Sequence, residues 1–300
     1  MISILIPIFN FDVIPMVTTL NQQCQQLGIV YEIICIDDGS QQEFKEMHDS
    51  LTSISSNIRY QLSPINNGRA KIRNKLASEA RYDYLLFLDC DSVIIRDDFV
   101  KKYISFSSEE KVVCGGTAYA ENPPEDTKQY LHWLYGKKRE VVAPEIRNKN
   151  PYNSFKTNNF AVSRRLFTSV FFDEHIVEYG HEDTLFGLEL QKRGIKMLHI
   201  DNPVLHAGLD PHDIYLRKTR QAISNLVLIS KKNDRFDTRL LKIHRHILHF
   251  HLGFFLVFIN TFFEKKMERH LYSKKPVLTV LDLYKLCKLH EFYKNENIHR

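Results

Sequence analysis

The sequence predicts an α/β fold: a mainly parallel sheet with helices on both faces, followed by a basic, mainly helical C-terminal extension. Three observations carry this reading. Over the first two hundred residues, β-rich apolar runs alternate with segments of helical periodicity, the pattern of strands joined by crossover helices. Two acidic clusters, Asp37-Asp38-Gly39-Ser40 and Asp89-Cys90-Asp91, directly follow apolar runs, and in open α/β sheets ligands bind beyond the carboxyl ends of the strands. The charge is also divided: residues 212–300 hold 18 Lys and Arg against 8 Asp and Glu, net +10, while residues 1–211 hold 23 against 28, net −5.

The elements follow in order. Ile2 to Phe9 reads as a strand, and Val13, Val17, Leu20, Cys24 and Leu27 then recur at helical spacing until Gly28 stops them. Tyr31 to Ile36 is a second strand that ends at the Asp pair. Glu43 to Ile54 reads as helix, Arg59 to Leu62 as a short strand, Arg69 to Ala80 as helix, and Tyr84 to Leu88 as a buried strand closing on Asp89. From Thr117 to Lys156 the rhythm breaks, with Pro123-Pro124, Pro144, Pro151 and the aromatic residues Tyr130, Trp133 and Tyr135; long irregular stretches of this kind are functional or disordered. Regularity returns with Phe155 to Ser163, a helix from Glu182 to Lys192 stopped by Gly194, and a strand from Ile195 to Ile200.

Composition bounds the class. Three hundred residues, 43% apolar and 26% charged, are enough for a sizeable core without covalent staples. Five scattered cysteines, none in a C-x-x-C pair, argue against a disulfide framework or structural zinc and favour a reducing compartment. The first nine residues lack a basic n-region and a cleavage site, so they read as a strand of a chain that starts folded in the cytosol. The basic tail suggests an anionic partner, with a membrane surface favoured over nucleic acid, and a solvated helical face is the bland reading. Ile247 to Phe263 is apolar, yet shorter than the roughly 20 residues needed to span a bilayer, and is interrupted by His249, His251 and Asn260. Flanked by Lys242, Arg245, Lys265, Lys266 and Arg269, it is expected as a helix lying in the headgroup region of the inner face of a membrane. A core helix or a dimer interface is the alternative.

Each cluster suggests a chemistry. Asp89 and Asp91 point to the same side of an extended backbone, so both reach one cation, and hard oxygen ligands suit Mg²⁺ or Mn²⁺ shared with phosphates. The Asp37-Asp38 turn can accept from a base-ring N–H or a ribose hydroxyl, although a plain β-to-α turn explains it too. Asn67-Gly68-Arg69 to Arg73-Asn74 places a flexible turn before a basic helix start, suited to a diphosphate; a solvated helix face is the bland reading. Trp133 or Tyr135 could stack on a sugar face, or fill the core.

Six ordered motifs carry a resemblance: Ile6-Pro7-Ile8-Phe9-Asn10, Asp37-Asp38-Gly39-Ser40, Asn67 to Asn74, Leu88-Asp89-Cys90-Asp91, Asn158 to Arg164 and Tyr179-Gly180-His181-Glu182-Asp183. Over residues 1–210 the chain resembles family 2 glycosyltransferases of GT-A fold, and the last motif resembles the C-terminal signature of galactosyl- and N-acetylgalactosaminyl-transferases. The resemblance implies a catalytic domain over 1–211, with a nucleotide-sugar half at 1–116 and an acceptor half at 117–211, and an extension over 212–300. It implies that Pro7 to Asn10, Asn67, Arg69 and Arg73 line the nucleotide, with Asp38 at the uracil and Asp37 supporting it. Asp89 would face the ribose and the metal, Asp91 and His206 would hold Mn²⁺ or Mg²⁺, and Asp183 would be the general base beside Glu182. Trp133, Asn158, Asn159 and His181 would meet the acceptor; His181 stands where the family often has Trp or Gly. The implied reaction is inverting transfer from a UDP-sugar to a saccharide or lipid-linked acceptor in cell-surface glycan assembly. A nucleotidyltransferase lacks support, since no Gly-rich phosphate loop with a signature Lys is found, and a non-catalytic carbohydrate-binding protein would not need the Asp91, His206 and Asp183 set.

Overall fold

A computed structural model describes residues 1–175, 180–232 and 236–298, with side chains described to residue 295. The chain divides into two compact units. The first comprises residues 1–120, 136–177 and 182–208, and the second 121–135, 178–181 and 209–300. The segment expected as an acceptor half therefore contributes residues to each unit.

In the first unit the elements are β1 (Ile2–Ile8), α1 (Ile14–Gln26), β2 (Tyr31–Asp37), α2 (Gln42–His48), α3 (Leu51–Ile54), β3 (Ile58–Leu62), α4 (Arg69–Glu79), β4 (Tyr84–Leu88), β5 (Ser92–Ile94), α5 (Phe99–Ser105), β6 (Lys111–Cys114) and β7 (Thr117–Ala118). In the second unit, α6 spans Tyr130–Tyr135. The first unit resumes with α7 (Pro144–Arg147), β8 (Asn159–Ser163), α8 (Arg164–Val170), α9 (Glu182–Lys192), β9 (Lys196–His199) and β10 (Val204–His206). Among the described residues the main sheet has seven strands in the order β3-β2-β1-β4-β8-β6-β9, parallel except for β8, which runs antiparallel to both neighbours. A small second sheet, β5-β10-β7, aligns His206 with Ser92.

Burial on both faces explains the unbroken apolar runs. Ile2, Ile4, Ile6 and Ile8 enter one core with Ile33, Cys35, Leu86 and Leu88. The alternate residues Leu5, Ile34, Ile36, Leu85 and Phe87 enter the other, as a period of two requires. That second core holds an aromatic block in which Phe87 stacks on Phe160 at 4.7 Å and Phe172 on Phe186 at 4.4 Å. Phe186 lies on α9, so the block fixes the helix that begins at Glu182. The helix expected over 43–54 is two short ones, α2 and α3.

The second unit adds α10 (His212–Lys232), α11 (Arg239–His249), α12 (Gly253–Leu271) and α13 (Leu278–Ile298). Leu131, Leu216, Met267, Leu271, Leu281 and Tyr284 form its core. Arg220 donates to Glu268 at 2.9 Å, and Lys288 lies between Glu264 at 2.6 Å and Glu291 at 2.8 Å. The apolar stretch 247–263 is not one helix: α11 ends at His249, α12 starts at Gly253, and their axes bend by 112°. His251 takes a left-handed backbone (φ +58°) at the break, and a Cβ on Gly253 would stand 3.0 Å from the Leu248 side chain. Among the described residues no single helix is long and apolar enough to cross a membrane.

Candidate functional site

The carboxyl ends of β1, β2 and β4 lie side by side, and the loops leaving them are bonded to one another. Asp37 is fully buried and accepts from the Ser40 amide at 2.7 Å, while Ser40 Oγ accepts from the Asn10 amide at 2.9 Å and Asn10 Oδ1 from the Gln41 amide at 2.8 Å. Asp38 Oδ1 accepts from the amide and the side chain of Asn67, at 2.8 and 2.9 Å, and Oδ2 from the Gly68 amide at 3.0 Å. Gly39 completes the join: its φ is +81°, and a Cβ there would lie 2.8 Å from the Asn66 nitrogen. Asp38 thus fastens the 66–68 loop beside Asn10 and Pro7. Phe9 stands exposed next to them.

Arg69 and Arg73 project from α4 to different carboxylates. Arg73 is buried and ion-paired with Asp89, and it also donates to the Arg69 carbonyl at 3.1 Å. It holds Asp89 in place. Arg69, half exposed, approaches Glu182 at 3.5 Å. Between the two acids of the Asp89-Cys90-Asp91 turn, Cys90 is half-buried, and desolvation pushes its thiol up to about 12.

Asp91 and His206 meet because β5 pairs with β10: the Ala207 amide donates to the Asp91 carbonyl at 2.8 Å, and His206 Nδ1 lies 3.6 Å from Asp91 Oδ1. A Cβ on Gly208 would come within 2.7 Å of the Asp91 Cβ, so the absence of a side chain there lets the carboxylate sit where it does. Burial lowers the His206 pKa, but the Asp91 hydrogen bond and the charges of Asp91, Glu140 and Asp89 outweigh it, and the net direction is up. Tyr119 packs on the His206 ring with centroids 5.3 Å apart and donates to Glu140. One carboxylate and one imidazole, with Asp89 engaged by Arg73, suit an ion that completes its shell with diphosphate oxygens and water. Among the described residues no cluster of three or more acidic, His or Cys ligands occurs, so Asp89, engaged by Arg73, does not complete a three-ligand set with Asp91 and His206.

Glu182 and Asp183 open α9, in its first turn. Asp183 Oδ1 accepts from the Thr184 amide at 2.7 Å, and Oδ2 pairs with Lys156 Nζ at 3.3 Å. Asn158 donates to Thr117 Oγ1 at 2.9 Å, while its buried Oδ1 has no partner. Asn159 differs from expectation: at 1% exposure it binds the carbonyls of Gly116 and Asn202 and the Tyr103 hydroxyl, so it ties strands together. Trp133, 9% exposed, packs on Tyr130 in the second unit. His181 (φ +72°) places its ring edge-on to Phe236, also in the second unit. Tyr179, the first residue of the last motif, lies outside the described residues. Sequence reading missed Lys156, Tyr119 and Glu140. All three lie in or beside the aperiodic middle segment, and only the Lys156 position, two residues before Asn158, offered a signal.

The family model for glycosyl transferase family 2 matches residues 3–170. The chain belongs to that family. Among curated relatives, it is 27% identical over 239 residues to an uncharacterized glycosyltransferase, YfnE, of Bacillus subtilis, covering 64% of this chain and 61% of that protein. It is 27% identical over 228 residues to chondroitin synthase of Escherichia coli, covering 64% and 32%, and 24% identical over 261 residues to hyaluronan synthase of Pasteurella multocida, covering 76% and 26%. The chain thus spans less than two thirds of each of these relatives. Its fold matches glucosyl-3-phosphoglycerate synthase of Mycobacterium tuberculosis, solved with Mn²⁺, UDP and glucosyl-3-phosphoglycerate (TM-score 0.51, 19% identity, 75% and 78% of the two chains). It also matches the mannosyltransferase PcManGT of Pyrobaculum calidifontis, solved with GDP-Man and Mn²⁺ (TM-score 0.54, 11% identity, 99% and 86%). The GT-A architecture expected from the motifs is therefore the fold of this family 2 chain.

Proposed function

We propose that this chain transfers a sugar from a UDP-sugar to a hydroxyl of a saccharide or lipid-linked saccharide, with inversion, in the assembly of a cell-surface glycan. The observation that carries the reading is the set of three stations on unit one: the Asp38-fastened loop at the ends of β1 and β2, the Asp91–His206 pair, and the Glu182-Asp183 helix start with Lys156. Family membership supports the reaction class, and relatives named chondroitin and hyaluronan synthase support a polysaccharide product.

The residues divide the work. Asn10, Pro7 and the 66–68 loop line the uridine, and Arg73 keeps Asp89 aimed at the ribose. Asp91 and His206 would hold a divalent ion, which would neutralise charge on the diphosphate leaving group. Asp183 takes the proton of the acceptor hydroxyl as its oxygen bonds to the anomeric carbon; the bond from that carbon to the diphosphate breaks, and its electron pair leaves with UDP. Lys156 positions the Asp183 carboxylate, and Arg69 orients Glu182.

The test is Asp183→Asn, assayed for transfer with a panel of UDP-sugars and saccharide acceptors. Loss of general-base help should lower the rate by roughly 10² to 10⁴ while UDP affinity stays within error of the wild type. Transfer at the wild-type rate, or loss of UDP binding as severe as in Asp38→Ala, would remove Asp183 from this role.

A further inference from the structure

The two sides of α12 differ sharply. Leu256, Met267 and Leu271 turn into the cores of the second unit, and Asn260, Glu264 and Glu268 bond on that same side, to Glu291, Lys288 and Arg220. On the other side Phe254, Phe255, Phe258 and Phe262 fall within about 100° of arc and are 61%, 50%, 53% and 69% exposed. The surface is continuous, with the rings of Phe254 and Phe255 4.0 Å apart and those of Phe258 and Phe262 4.9 Å apart. Exposed Phe250 and Leu252 extend it at the elbow before the helix, and exposed Lys265, Lys266 and Arg269 extend it at the far end. A contiguous apolar patch of this kind on a water-facing helix marks an interaction surface.

Charge selects the occupant. Residues 237–275 carry eight Lys and Arg against three acids; Asp237 pairs with Lys242 and Arg245 beside α11, and on α12 both Glu are engaged inward by Arg220 and Lys288. The outward side therefore offers cations and aromatic rings without carboxylates. A second copy would bring the same cations to meet them. An anionic bilayer supplies an acyl boundary for the rings and phosphates for the lysines and arginine. The 112° bend between α11 and α12 suits a pair lying in the bilayer surface better than a straight span.

We infer that α12 and its preceding elbow form a bilayer-docking element, with the phenylalanines in the acyl boundary and Lys265, Lys266 and Arg269 at the phosphates of anionic lipid. The inference stands apart from the reaction proposed above. It is tested by floating the full chain with vesicles of phosphatidylcholine alone and of phosphatidylcholine with an equal part of phosphatidylglycerol, alongside light scattering of the chain without vesicles. The wild type should float with the anionic vesicles only, and salt should release it. The F254S/F258S/F262S variant should partition at least about ten-fold less, and K265E/K266E/R269E should lose the preference for phosphatidylglycerol. Wild-type circular dichroism and thermal unfolding of both variants would show that they fold. No flotation of the wild type, undiminished partition of the phenylalanine variant, or a stable dimer that this variant dissolves without any vesicle binding would overturn the inference; the last result would assign the surface to a second copy.

Discussion

Replacing Asp89 by Asn should destabilise the first unit more than replacing Arg73 by Met. The two side chains form one ion pair, but Arg73 is 3% exposed and Asp89 20%. With Asp89 neutralised, the guanidinium remains buried over Phe172, 5.7 Å from the ring centroid, with its Nε already unpartnered and its counter-charge gone. Stranding a buried charge costs about 3 to 5 kcal/mol. With Arg73 removed, Asp89 turns its exposed edge to water, and the loss is that of hydrogen bonding and packing, about 1 to 2 kcal/mol. The Arg73→Met/Asp89→Leu double variant should recover much of the Asp89→Asn loss, because no charge is left buried. Urea unfolding of all three variants reads these differences. Calorimetry with UDP reads the function: if Arg73 acts on the nucleotide through Asp89, Arg73→Met adds nothing to the defect of Asp89→Leu. The reverse order of stability losses, or a further weakening of UDP binding by about ten-fold or more in the Asp89→Leu background, would refute the positioning role.

Gly208→Ala places a methyl against the Asp91 Cβ at 2.7 Å and should displace the carboxylate from His206, lowering Mn²⁺ affinity by about ten-fold or more; electron paramagnetic resonance of free Mn²⁺ checks this without turnover. The second unit should be acid-labile. His244 hydrogen-bonds His290 at 3.0 Å, and burial, with the neighbouring His290, pushes its pKa down to about 4. An unfolded His titrates near 6.5, so between those values the unfolded chain binds more protons. Stability is therefore full above about 6.5 and is lost as pH falls toward 4, by about 3 kcal/mol in all. Thermal unfolding from pH 7 to 4 should show this loss in the wild type and a shallower one in His244→Phe; parallel profiles would remove His244 as its cause.

The strand-end acids were legible because a run such as Tyr84 to Leu88 buries every side chain, so the first carboxylate after it must lie at the sheet edge. The same logic located Asp37 and Asp38. The Asp91–His206 pair was not derivable from the residues, since it depends on strands of three residues pairing across 114 positions of sequence, too short for any periodicity. Helical spacing put Arg69 and Arg73 one turn apart, yet their acids, Glu182 and Asp89, are chosen by tertiary packing. Arg147 was unreadable for a similar reason: a buried cation, it donates to the carbonyls of Gly115 and Ile200 and to His199 Nδ1, which leaves the His199 Nε2–H to the Pro151 carbonyl and the ring neutral. Its segment reads as charged loop. Nor does the apolar run 247–263, with its interruptions at His249, His251 and Asn260, reveal that the helix breaks at His251.

The proposed function requires unit one to bind a nucleoside diphosphate through a divalent ion held by Asp91 and His206. Calorimetric titration of the full chain with UDP, in Mn²⁺ and again in excess chelator, tests it most directly. Tight binding is expected in Mn²⁺, with a loss of about ten-fold or more on chelation, and the weak value alone, with or without metal, for Asp91→Ala. Equal affinity in Mn²⁺ and chelator for the wild type, or no heat with UDP under either condition, would contradict it.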